Sequence, residues 1–221
     1  SLDVEFTSKP LVDMDENQPH PDGHANMYCE SKALSEVAVI KANNESLRTC
    51  VLRPSDVYGE GDPFHIDSLI NMAKTGFYVR LGNGKSRSQH VYVGNMAYAH
   101  VLAAQNILAL NTALAGKVYF ITDGPPHNFF FFFDQIVAGS GYKIWPRNMW
   151  LPRWLAYTIG SISEFIAFLY RPIRHYNPKF SRFAVVYTCT DFTFSSDKAR
   201  KDFGFEPKYS VDEGIKRTVE F

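Results

Sequence analysis

Tyr28 and Lys32 stand four residues apart in Tyr-Cys-Glu-Ser-Lys, a spacing that sets two side chains on one face of a helix. A phenol beside a fixed cation is a proton-transfer pair. Free phenols titrate near pH ~10, too high for efficient exchange around neutrality, and a neighbouring ammonium favours the phenolate. Such a phenol can take a proton from an alcohol as hydride leaves, or return one to a carbonyl. The spacing alone is a weak signal. With 12 Tyr in 221 residues, chance supplies roughly 0.6 such pairs, and an exposed Tyr resting on a Lys stem fits the pattern as well.

Other residue types suited to chemistry do not gather. His20 and His24 fall in a polar loop, and His65, His90, His100, His127 and His175 are scattered. There is no HExxH and no paired-carboxylate constellation, which weighs against metal catalysis and glycoside hydrolysis; no metal-binding residue is assigned. Cys29, Cys50 and Cys189 are odd in number and widely spaced. Neither a zinc site nor a disulfide framework is indicated, and a reducing compartment or cytosol-facing surface is expected. The balance of 23 basic and 23 acidic residues gives no electrostatic reason for a nucleic-acid partner. The 18 Phe, 12 Tyr and 3 Trp suit either a greasy pocket or simply a large aromatic core.

The elements that must hold the pair read as alternating helices and strands. Residues 1–27 read as loop, punctuated by Pro10, Pro19, Pro21 and Gly23. The periodicity predicts a helix over 28–42 and a strand over 47–52. Arg53-Pro54 ends that strand, because proline cannot sit inside a central one, and a loop follows to Pro63. Further along come a helix over 67–75, a strand over 91–93, and a helix N-capped by Asn95 and running to about 110. A strand over 118–122 leads to the turn Asp123-Gly124-Pro125-Pro126, and Phe129–Phe133 opens another helix. A strand from Phe192, a helix around 196–203 and a closing helix from Val211 complete the chain. The alternation predicts an α/β fold with a mostly parallel sheet. Between Arg153 and Arg171 the only charge is Glu164, so about 17 residues are largely apolar, the lower limit for a bilayer-spanning helix. Spanning, lying in a membrane interface and packing inside the protein are all open for 150–173, with Glu164 and the serines against a clean span.

Several linked motifs extend this reading. The Tyr/Lys helix followed by Leu52-Arg53-Pro54-Ser55-Asp56-Val57-Tyr58-Gly59 resembles the extended short-chain dehydrogenase/reductase superfamily. Gly82-Asn83-Gly84-Lys85, His90-Val91-Tyr92-Val93-Gly94-Asn95 and Tyr119-Phe120-Ile121-Thr122-Asp123-Gly124 are similar to its 3β-hydroxysteroid dehydrogenase/isomerase branch. So is the closing Ser196-Asp197-Lys198-Ala199-Arg200 through Phe203-Gly204-Phe205-Glu206-Pro207. Members include the sterol-4α-carboxylate 3-dehydrogenases.

The resemblance implies a doubly wound, Rossmann-like parallel sheet, carried by 1–124 with the Tyr/Lys helix, and a smaller, mostly helical substrate-binding lobe over 125–221. It implies NAD(P)-dependent oxidation of a steroid or sterol 3β-hydroxyl. Tyr28 would be the general acid/base, Lys32 would bind the nicotinamide ribose, and Ser1 would hold the reacting oxygen. Pro54 and Val57 would contact the nicotinamide, with NAD favoured over NADP. A membrane surface and a homodimer are compatible partners, and the place is the cytoplasm or a membrane facing it, the endoplasmic reticulum in a eukaryote. The family's dinucleotide-binding glycine loop has no match: Gly59-Glu60-Gly61, Gly82-Asn83-Gly84 and Gly139-Ser140-Gly141 each lack the third glycine. The expectation is that the chain starts after the first βαβ units and is inactive by itself. Two rival readings are an extended family member acting on a nucleotide-sugar or flavonoid-like substrate, and a non-catalytic relic.

Overall fold

The computed structural model describes residues 7, 9–109, 113–171 and 180–221, which form two compact units, each assembled from separated stretches of chain. The first comprises residues 1–62, 89–126 and 192–221. Its strands pair in parallel: β1 (Leu11–Met14) with β8 (Phe192–Phe194), β2 (Val51–Pro54) with β6 (Val118–Ile121), and β3 (Asp56–Tyr58) with β5 (His90–Tyr92). The helices between them are α1 (Met27–Lys41), α3 (Val93–Leu108), α7 (Asp197–Phe203) and α8 (Val211–Glu220). Strands joined through helices and pairing in parallel are the α/β arrangement expected from the alternating pattern.

The core of this unit lies where α3 and α7 meet the strands. Ala99 and Ala103, one turn apart on α3, bring its backbone close to Val91, Tyr119 and Ile121. Gly204 ends α7 in the left-handed conformation at φ 70°, which lets the chain turn back and bury Phe205 completely.

Four local expectations change. Residues 11–14 form a strand rather than loop, since Leu11 is buried and Thr193 Oγ1 both accepts from Asp13 N (2.7 Å) and donates to Asp13 Oδ1 (3.1 Å). The partner strand lies some 180 residues away in sequence, beyond any local pattern. Residues 56–58, read as loop, pair with β5. Pro54 is the last residue of β2 rather than the point beyond it; the next ladder bond runs from Ser55 N to Ile121 O at 3.0 Å. Asn95 is not the cap of α3, which starts two residues earlier after Tyr92. Its buried side chain instead donates to Asp123 Oδ2 (2.8 Å) and Tyr209 O (2.9 Å). Asp123 Oδ2 also accepts from Tyr92 N at 2.6 Å, placing a carboxylate at the α3 N-terminus.

The second unit comprises residues 63–88 and 127–191. The sequence reading grouped 63–88 with the first part of the chain and 192–221 with the last; packing groups them the other way. The unit holds α2 (His65–Lys74), α4 (Phe129–Gly139), α5 (Arg153–Tyr170) and α6 (Arg182–Thr188), with β4 (Arg80–Leu81) and β7 (Trp150–Leu151) paired in parallel. Asn128 caps α4 by accepting from Phe130 N (3.1 Å) and Phe131 N (3.3 Å). Of the five phenylalanines that follow, only Phe131 is exposed. Helix α5 lies on α6, unpredicted from sequence, through Gly160 and the ion pair Glu164–Arg182 at 2.6 Å. Its other face is uncovered within the unit, with Trp154, Ile162, Phe165 and Phe168 more than half exposed. Among the described residues no helix is long and apolar enough to cross a membrane, which sets aside a helical span over the described part of 150–173.

Candidate active site

Helix α1 presents the pair to solvent by burying a narrow strip of its surface, although Leu34 and Val37 also stay exposed. Cys29, Ala33 and Glu36 are buried, at successive four- and three-residue steps, which turns Tyr28 and Lys32 outward. Asn26 caps the helix, its Oδ1 accepting from Cys29 N at 2.9 Å, so the first turn that holds Tyr28 is well formed. Lys32 Nζ lies 5.5 Å from the centroid of the Tyr28 ring, within reach of its π face. Among the described residues neither the Tyr28 hydroxyl nor the Lys32 ammonium enters a hydrogen bond or ion pair. The phenol is therefore accessible, with a cation over its ring and its polar capacity unspent.

Behind this exposed pair lies a charged cluster that the sequence reading passed over. Arg53, from β2, grips Glu36 with a two-pronged contact, Nε to Oε2 at 2.8 Å and Nη2 to Oε1 at 2.7 Å. His20 Nε2 reaches the same Oε1 at 2.7 Å. Burial alone would raise the Glu36 carboxyl, but the hydrogen bonds and charge of Arg53, and then His20, outweigh it and hold the group below its ordinary value. The Arg53 guanidinium also faces the Phe120 ring, 5.1 Å from its centroid. The one sequence signal for Glu36 is that it falls three residues after Ala33, on the strip that also buries Cys29. His20 had no such signal, lying in a Pro-rich loop.

Pro54 follows Arg53 directly at the end of β2, and Val57, three residues further on in β3 of the same unit, is exposed. Between them Ser55 is buried, and among the described residues its Oγ has no hydrogen-bond partner. Ser1 lies outside the described residues. The structure thus brings Tyr28 and Lys32 together and ties their helix to the strand that ends in Pro54. In the second unit a cleft of about 910 Å³ is lined by Arg80, Asp134, Tyr142, Lys143, Trp145 and Arg147 among others. Arg80 and Asp134 neutralise each other there, 2.8 Å apart.

Residues 1–152 match the model of the 3-beta hydroxysteroid dehydrogenase/isomerase family. The chain belongs to this family. Across 220 residues it is 33% identical to a sterol-4-alpha-carboxylate 3-dehydrogenase, decarboxylating, of Schizosaccharomyces pombe, covering 99% of this chain and 63% of that protein. It is likewise 33% identical over 218 residues to human 3 beta-hydroxysteroid dehydrogenase type 7, covering 95% of this chain and 59% of the relative. This 3-beta hydroxysteroid dehydrogenase family chain therefore spans about three-fifths of the length of the curated relatives it matches. Among solved structures it is similar to a dTDP-glucose 4,6-dehydratase of Bacillus anthracis in complex with NAD. That likeness has a TM-score of 0.61 at 17% identity and covers 100% of this chain and 58% of the other. At that identity it shows the fold, the Rossmann-like α/β fold that the motifs imply.

Proposed function

We propose that the whole protein oxidises the 3β-hydroxyl of a steroid or sterol to a ketone, with this chain supplying the proton-transfer machinery. The observation that carries the reading is the exposed, uncommitted Tyr28 phenol beneath the Lys32 ammonium, in a chain of the family. Tyr28 accepts the hydroxyl proton as the 3-carbon gives up hydride, and Lys32 stabilises the phenoxide charge through space. In the reverse direction the same phenol donates to the carbonyl oxygen. Ser1 is assigned to hydrogen-bond that oxygen, where charge develops. A nicotinamide dinucleotide, when bound, supplies the hydride acceptor. Tyr28, Lys32, Pro54 and Val57 are the residues assigned to hold its nicotinamide end. NAD is favoured over NADP, in line with the NAD-bound dehydratase that shares the fold.

The substrate class rests on the relatives named for sterol and steroid oxidation. The second unit, with its buried phenylalanines and uncovered α5, is assigned to the substrate side. We place the α5 face against a membrane interface facing the cytosol: an apolar helix face with Arg153 and Arg171 at its two ends suits the headgroup boundary.

The test is turnover of the full-length protein with a 3β-hydroxysterol and either NAD or NADP. Tyr28→Phe should lower kcat by about 10²- to 10⁴-fold. Normal turnover by Tyr28→Phe would sink the mechanism. Turnover of nucleotide sugars in place of sterols would replace the substrate class.

A further inference from the structure

Glu36 lies on α1 four residues beyond Lys32, at the point where the helix meets β2. Its side chain is 4% exposed and that of Arg53 2%, so both charges are out of water. A buried ion pair is a poor way to gain stability, because desolvation consumes most of the attraction and apolar replacements of the same volume often do as well. What the two-pronged contact does supply is direction. The fork admits one height and one rotation of the helix against the strand. The remaining buried residues on this helix face, Cys29 and Ala33, are small and would tolerate sliding.

His20 completes the arrangement. Its Nε2 is 2.7 Å from Glu36 Oε1 and 3.3 Å from Arg53 Nη2. One ring nitrogen cannot donate and accept together, and the carboxylate is acceptor-only, so the short contact assigns the proton to Nε2, donating to Glu36. The loop bearing His20 is held a second time, where Glu16 Oε1 accepts from Phe120 N on β6 at 2.7 Å. Loop, helix and strand therefore converge on one carboxylate, and the residue after Arg53 is Pro54.

We propose that Glu36, Arg53 and His20 are positioning residues for the Tyr28/Lys32 pair, fixing the phenol relative to Pro54 and Val57 by locking α1 to the end of β2. The proposal rests on the oxidoreductase reading above. None of the three touches the reacting atoms; they act through the helix. A displacement of about 1 Å in such a group costs up to ~10²-fold in rate.

The experiment uses the full-length protein with sterol and dinucleotide, comparing Glu36→Gln, Arg53→Lys and His20→Gln. Glu36→Gln and Arg53→Lys should lower kcat by about 10²-fold, and His20→Gln by about tenfold, with sterol KM within about twofold of the parent and an altered pH profile of kcat/KM. A structural role alone would lower Tm and leave kcat per folded molecule and the pH profile unchanged. That result, alongside an inactive Tyr28→Phe, overturns the proposal and spares the function. A fully active Tyr28→Phe removes both. Should the two buried variants fail to fold, His20→Gln decides, since it leaves the Glu36–Arg53 pair in place: a parental kcat and pH profile overturns the proposal, and the tenfold loss supports it.

Discussion

Asp123 and Glu36 are carboxylates of the same unit that burial pushes the same way and their partners leave shifted in opposite directions. Burial pushes Asp123 up to about 6; among the described residues Tyr92 N and Asn95 Nδ2 donate to its Oδ2 and nothing donates to its Oδ1. Glu36 is held low by Arg53 and His20. The pH consequences differ in sign. The folded state binds the Asp123 proton more tightly than the unfolded chain, so that contribution is fully present below pH 3.8 and is lost as pH rises through about 6. The Glu36 contribution is present above 4.5 and is lost as pH falls through its lowered value. Urea unfolding between pH 4 and 7 tests the first: relative to Asp123→Asn, the parent should lose roughly 2 to 3 kcal/mol across that window. A constant difference between the two proteins over the same range would contradict the burial account of Asp123.

At the scale of elements, close packing between helices is the sharpest constraint. A Cβ on Gly160 of α5 would stand 2.9 Å from Arg182 N and 3.0 Å from Ser181 C, both backbone atoms at the start of α6. Backbone cannot rotate away as a side-chain tip can. Gly160→Ala should therefore destabilise by about 1 to 3 kcal/mol, read as a lower Tm, while an alanine at Gly141, which has open space around it, would be strained only by its φ of +83°. The elements also show which parts of the fold are legible in local sequence. Helix α1 is readable because its apolar positions recur at helical spacing and Tyr28 and Lys32 fall together on the opposite face. Helix α4 is readable for the same reason, despite its run of phenylalanines. Strand β1 is not, because nothing in Leu11–Met14 announces a partner at Phe192–Phe194. Asn95 looks like a cap by type and place, yet its bonds go to Asp123 and Tyr209, which the linear order keeps far away. The Glu36–Arg53–His20 cluster is hidden for a related reason: a charged side chain reads as solvated until the fold brings its partner to it.

At the scale of the molecule, polarity is unevenly spread. The first unit exposes large apolar residues at scattered places such as Leu34, Leu47 and Val101, whereas in the second Trp154, Ile162, Phe165 and Phe168 are uncovered on the single helix α5. If this face meets lipid, Ile162→Glu with Phe165→Glu should lower partitioning of the full-length protein onto anionic phosphatidylcholine/phosphatidylserine vesicles by at least ~10-fold. Unaltered sedimentation with vesicles would remove the membrane assignment. Stability is also uneven within a folded chain, and this molecule carries a reporter of that unevenness. Cys29, adjacent to Tyr28, is fully buried and forms no disulfide. With Cys50 and Cys189 replaced by serine, an alkylating reagent can reach its sulfur only when α1 lifts from the strand, so the labelling half-time becomes a clock for how often the helix bearing Tyr28 and Lys32 comes undone.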